Sequence, residues 1–204
     1  MKFKVPTKQL SAISLLSSVG TVLRVGFGWA AYLVPYVPLP FGFSLYGIFI
    51  KIGLTETLAF VSGFVFGPVQ GFLTGVLIIV ISDIFSAYGP GLWTPFIAAI
   101  IGLLGICGGV IRRFKDNPSV ALLGTTAVTL TLMSEILQNI WFAWFFSMPI
   151  IAVLIMGANS MIMAIINNTV LFTVVAPRII KVLREWVMPK EQRRGWSTIE
   201  QIHS

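Results

Sequence analysis

The chain has 204 residues, is 56% hydrophobic and only 10% charged, and has a mean hydropathy of +0.92 and a formal net charge of +7. A soluble domain carries about 25% charged residues, so this composition excludes an ordinary soluble fold and implies one integral membrane domain. A single cysteine (Cys107) and a single histidine (His203) exclude a disulfide framework and a thiolate or histidine metal cluster, and the basic residues sit at the ends of apolar segments, which is an orientation signal and not a nucleic-acid one.

Lys2, Lys4 and Lys8 precede an apolar run that extends from about residue 10 to 34. The arrangement is like a signal peptide, but the run is too long for one and has no small-x-small cleavage site before a polar chain, so it is predicted as the first transmembrane helix. Spanning takes about 20 mostly apolar residues. Segments 9–31, 44–66, 69–88, 92–111, 119–146 and 150–176 meet that requirement. The breaks between them are chemically coherent. "VPYVPLPFGF" (34–43) contains three prolines and cannot form a regular helix. "FGPVQG" (66–71) turns the chain, "YGPGLWTP" (88–95) is a Gly/Pro loop, "RRFKDNP" (112–118) is a charged connection and "SMP" (147–149) is a short turn.

Lysine and arginine orient the bundle. They lie at the N-terminus, in the fourth connection (Arg112, Arg113, Lys115) and after the last span (Arg178, Lys181, Arg184, Lys190, Arg193, Arg194), and they are absent from the first, third and fifth connections. Six spans put all three basic regions on one side, and that side is expected to be cytoplasmic. The fold expected is therefore an all-α polytopic membrane protein: a six-helix transmembrane bundle, N-in/C-in, over residues 1–180, with a basic cytoplasmic tail at 181–204. Within "PRIIKVLREWV" (177–187) the spacing is amphipathic, and an interfacial helix and a solvated continuation of the sixth helix are both open. Trp29, Trp93, Trp141, Trp144 and the four tyrosines fall near the outer face, as anchors or as pocket walls.

Small residues recur four apart: Gly67, Gly71 and Gly75 in the third segment, Ala98/Gly102 and Gly105/Gly109 in the fourth, and Ser14/Ser18 and Ser17/Thr21 in the first. Such faces let helix backbones approach where no hydrophobic force drives association, and internal packing is the favoured reading for the third and fourth helices. Arg24, Lys51, Glu56, Asp83 and Glu135 lie within spans. For Glu56 and Asp83, ion pairs with Lys51 or Arg24 are preferred over a catalytic carboxylate pair. In the fifth segment Thr131, Glu135, Gln138, Asn139 and Phe142 follow i, i+4, i+7, i+8, i+11 and share a helical face. That face must point into the protein. It is either an internal hydrogen-bond network, with Arg24 or Lys51 pairing Glu135, or the wall of a ligand cavity that Asn159 joins from the sixth helix. The cavity is favoured because the polar groups stack toward one side of the membrane. Asn167 and Asn168, deeper, are read as structural. G-x-x-x-x-G-K-[ST], H-E-x-x-H and G-x-S-x-G are all absent from the sequence, which argues against ATP hydrolysis or common hydrolase chemistry within this chain.

The stretch 59–113, with Gly63-Phe64, then Phe66-Gly67-Pro68, a glycine-spaced helix reaching Asp83, a Gly/Pro/aromatic loop and a Gly-rich helix ending in Arg112-Arg113, resembles the S components of energy-coupling-factor (ECF) transporters. These are substrate-binding membrane subunits of vitamin importers. The resemblance implies a non-enzymatic subunit of the cell membrane, multi-pass, that captures a vitamin or related cofactor precursor from outside. It would then dock on a transmembrane coupling protein and two cytoplasmic ATPase subunits. It implies no cofactor in this chain, ATP being used by the partner ATPases. It assigns substrate binding to Tyr36 and the Pro-rich lid, Trp93, Glu135, Gln138, Asn139 and Asn159, and the coupling-protein interface to Ser14 and Ser18, where the family often has an Ala-xxx-Ala face. Aromatics beside amides suit a flat, hydrogen-bonding heterocycle. Glu135 would favour a cationic ligand and Arg24 an anionic one, and both remain open. An ion-coupled secondary transporter and a lipid-modifying membrane enzyme are the alternative readings.

Overall fold

The computed structural model describes residues 7–33, 54–87 and 89–187. Tyr36, the Pro-rich lid, Lys51 and most of the tail lie outside the described residues. All regular structure described is helical: α1 (Thr7–Leu33), α2 (Leu54–Phe66), α3 (Pro68–Ile84), α4 (Trp93–Phe114), α5 (Val120–Phe145), α6 (Ile150–Val170) and α7 (Ala176–Val187). A π-helical turn, Leu171–Val175, joins α6 to α7 without a break. Four runs, Thr7–Leu33, Trp93–Phe114, Val120–Phe145 and Ile150–Trp186, are long and apolar enough to cross a membrane, and α2 and α3 are shorter apolar helices.

The boundaries have local causes. Gly67 has φ 119°, a conformation that only glycine adopts without strain, and Pro68 then opens α3 with its ring-fixed φ at a position that needs no N–H donor. The Gly67 N–H still donates to Gly63 O at 2.9 Å, so the corner between α2 and α3 is tight. α3 ends at Ile84, short of residue 88, because the Ser86 hydroxyl and the Phe85 N–H turn back onto Asp83 O and Ser82 O. Ser119 caps α5 by accepting from Leu122 N at 3.3 Å.

Packing divides the bundle. α2, α3 and α4 meet backbone to backbone. A Cβ on Gly63 would overlap the carbonyl oxygen of Gly105, and one on Gly71 would stand 2.5 Å from that same oxygen. The glycine spacing read from the sequence is thus internal packing, the use that small residues have where lipid replaces water. A buried Ser62–Thr74 hydroxyl pair at 2.7 Å adds a hydrogen bond between α2 and α3. α1 lies against α2 and α3, whereas α5 pairs with α6 and touches α4 only lightly. Phe60 of α2 and Phe172 of the π turn, both fully buried, bring the two groups together with ring centroids 4.9 Å apart.

The segment 177–187 continues helix six. Ile150–Trp186 is one 37-residue run. At 1.5 Å per residue it measures about 55 Å, well beyond a hydrocarbon core of about 30 Å. α7 buries Ile180 and Leu183 and lays the Arg184 guanidinium over the Phe64 ring, 5.3 Å from its centroid. Arg184 also donates to Asn117 Oδ1 (3.1 Å) and Asp116 O (2.5 Å), fastening α7 to the α4–α5 connection. Arg112 donates to Val65 O nearby.

Candidate functional site: a cavity at the aromatic end

The opposite end of the bundle is where α1 finishes, α3 finishes, α4 begins and α5 finishes. Arg24 of α1 reaches α3, where its Nη1 donates to Ser82 Oγ and to Asp83 Oδ1, the latter at 2.5 Å. Asp83 Oδ2 accepts from Thr94 Oγ1 of α4 at 2.6 Å. Three helices are therefore tied by one carboxylate that is only 2% exposed. A buried carboxylate is tolerable only when neutralised and hydrogen-bonded, and both conditions are met here. Of the pairings left open by the sequence, Arg24–Asp83 is formed, and those with Lys51 lie outside the described residues.

Beside this pair lies a cavity of about 530 Å³. That is within the range of small-molecule sites, about 300–1,000 Å³. Its wall is largely aromatic, with Trp29 and Tyr32 from α1, Trp93 and Phe96 from α4, and Trp141, Phe142 and Phe146 from the end of α5 and the turn after it. Arg24, Ser82, Asp83, Ser86 and Gln138 supply its polar groups. The rings are set by each other. Phe96 stacks on Trp141 at 5.6 Å across α4 and α5, and Trp141 stacks on Phe145 at 4.9 Å. Trp29 donates its indole N–H to Phe85 O at 3.3 Å, fixing the end of α1 to the end of α3.

Of the residues expected to bind substrate, Trp93 and Gln138 are brought together on this wall. The rest of the α5 stripe divides. Phe142 faces the cavity with Gln138. Thr131 Oγ1 accepts from Asn168 Nδ2 at 3.0 Å, a buried contact between α5 and α6. Asn139 points to α6, where its amide packs over Gly157 and contacts Met161 Sδ at 3.7 Å. The division follows from helix geometry, since Asn139 lies about 100° round from Gln138 and that rotation carries it from the cavity flank to the α6 flank. Glu135 is 9% exposed and is not on the cavity wall, and Asn159 is exposed on α6 away from it. Tyr36 falls outside the described residues. Ser14 and Ser18 lie on an exposed strip of α1, whereas Ser17 and Thr21 are buried.

Two features were not fixed by the sequence. Arg24 is open there as an ion-pair partner or a ligand contact, and the spacing Arg24, Phe27, Gly28 (i, i+3, i+4), which aligns it with other wall residues, is the signal that places it at the cavity. The Phe96–Trp141 stack has no sequence signal, because it depends on how α4 and α5 diverge. Among the described residues no group of three His, Cys, Asp or Glu side chains could hold a metal.

The fold and site define a class, a protein all-helical in its described residues, with four helices long and apolar enough to cross a membrane and a ligand-sized aromatic cavity at one end. Compared with known proteins, the chain matches no family model, no curated protein and no solved structure.

Proposed function

We propose that the chain is a membrane-embedded substrate-capture subunit, an ECF-type S component that takes a vitamin or related cofactor precursor from outside the cell and delivers it through a shared energising module. In this reading the bundle has six spans with both ends in the cytoplasm. The Trp-rich end then faces out, and the Arg112–Arg184 end faces in, in agreement with the positive-inside bias. The observation that carries the reading is a ligand-sized cavity at one end of the bundle. Its wall is largely aromatic, while α2, α3 and α4 are packed too closely through Gly63, Gly71 and Gly105 to leave a passage between them. A binding site of that form captures a ligand but needs another component to move it across. The motor is then a coupling protein with two ATPase subunits, docking on the exposed strip of α1 that carries Ser14 and Ser18. ATP hydrolysis belongs to those partners, and the chain itself is not an enzyme.

Both oxygens of Asp83 are taken up by Arg24 and Thr94, so this carboxylate ties three helices together in the importer reading. The test has two arms. Mass spectrometry of small molecules released from the protein purified in mild detergent is expected to find one stoichiometric vitamin-like compound. Co-expression with the coupling and ATPase subunits of an ECF module from the same organism is expected to give a complex whose uptake needs ATP. Uptake by the chain alone that collapses with the proton gradient would sink the proposal.

A further inference from the structure

The chemistry of the cavity wall selects among ligands, and this selection rests on the reading of the cavity as a substrate site. Arg24 and Asp83 are the charged side chains on the wall among the described residues, and they neutralise each other at 2.5 Å. Asp83 is fully engaged, with Oδ1 on Arg24 and Oδ2 on Thr94. Arg24 is not. Both of its contacts are made by Nη1, and the side chain is 32% exposed. Its Nε–H and Nη2–H, which form one edge of the guanidinium, make no hydrogen bond among the described residues. Gln138, also on the wall, donates through Nε2 to Ser134 Oγ at 3.0 Å, which leaves its Oε1 as an acceptor without a donor among the described residues.

We propose that the cavity takes a planar, net-uncharged heterocycle of lactam type, with an acceptor edge against the free edge of Arg24 and a ring N–H against Oε1 of Gln138. A carboxylate ligand would bring a second anion to a cation already neutralised by Asp83 and leave one buried charge uncompensated. A cationic ligand would gain from the tryptophan faces. It would, however, meet the Arg24 guanidinium with no unpaired carboxylate on the wall, since Glu135 is not there. A neutral ring incurs neither cost and stacks on Trp93 and Trp141.

The test uses the full chain in mild detergent, calorimetry, and three bicycles of matched size: isoquinolin-1(2H)-one (neutral lactam), isoquinoline-1-carboxylate (anion) and N-methylisoquinolinium (cation). The lactam is expected to bind at least about ten-fold more tightly than either ion. Methylating the lactam nitrogen removes its N–H and is expected to weaken binding about ten-fold. Gln138→Leu is expected to weaken the parent lactam by the same factor and to leave the N-methyl lactam unchanged. Arg24→Lys keeps the pair with Asp83 but loses the fork, and should weaken the lactam about ten-fold. If that variant does not fold, the Gln138 cycle decides. An ion that binds as tightly as the lactam, no lactam binding at millimolar concentration, or equal losses for both lactams in Gln138→Leu would each overturn the proposal. Such a result leaves the importer reading intact if the ATPase module is still captured. Failure to capture that module, with the probe ranking as expected, would overturn the importer reading alone.

Discussion

The two ends of the bundle use the same residue type in opposite ways. At the basic end Arg112 and Arg184 are consumed internally, on Val65 O, Asp116 O, Asn117 and the Phe64 ring. At the aromatic end Arg24 commits one nitrogen to Asp83 and Ser82 and presents the rest to a cavity. The difference begins with side-chain size. Where Gly63, Gly71 and Gly105 meet, helices touch through their backbones and no space is left. Where Trp29, Trp93, Phe96 and Trp141 meet, rings hold the helix ends apart, and the space between them is the cavity. A rigid, closed half thus supports an open one.

Substitutions at the two ends can break this contrast. The largest effect is expected for Gly105→Val, because its Cβ would collide with the Gly71 backbone, which cannot give way as a flexible side chain would. We expect a loss of about 3 kcal/mol or more, at the upper end of overpacking costs, seen as loss of monodisperse protein in size-exclusion chromatography. A Gly105→Val variant with wild-type yield and melting temperature would mean that the closed half is not backbone-packed. Next comes Asp83→Ala, which strands Arg24. Breaking a fully buried pair costs about 3–5 kcal/mol, and the partial exposure of Arg24 lowers this to about 2 kcal/mol. The double variant Asp83→Leu/Arg24→Leu should recover most of that stability in thermal melts while losing ligand binding, which would separate the structural from the recognition role of the pair.

Smaller effects sharpen the comparison. Arg184→Ala removes two hydrogen bonds and a cation–π contact that dock α7. Because these are partly exposed, about 1 kcal/mol is expected, together with faster proteolysis within 177–187 and no change at the cavity. Trp29→Phe keeps the ring but loses the long indole bond to Phe85 O. Its expected cost is about 0.5 kcal/mol, the low end for a single hydrogen bond, read as a small shift in melting temperature.

The part of the site legible in advance was its composition, not its assembly. Gln138 and Trp93 were expected at a ligand site and lie on one cavity wall. Asn139 was expected beside them and meets α6 instead, because a polar stripe on α5 has two flanks and the sequence does not say which flank meets α6, while Asn159 of α6 is not among the residues of that wall. Arg24 and Asp83, 59 residues apart, could be suspected of pairing but not placed at a cavity, since that depends on α1 crossing α3 at that depth.

By itself the sequence determined that the chain is a helical membrane protein. Run length and apolarity are local properties, and so is the Gly67-Pro68 corner, which follows from one positive φ and one ring-fixed one. It also determined that glycines four apart would form packing faces. Tertiary structure decided the rest. It made 177–187 a continuation of helix six, because Ile180, Leu183 and Arg184 found partners on α2 and the α4–α5 connection. It also sorted one polar stripe into cavity wall and helix contact, and it paired Arg24 with Asp83 at the edge of the cavity. The physical reason is common to all three. Each outcome depends on which neighbour a side chain meets, and in a bundle neighbours come from helices far apart in the chain.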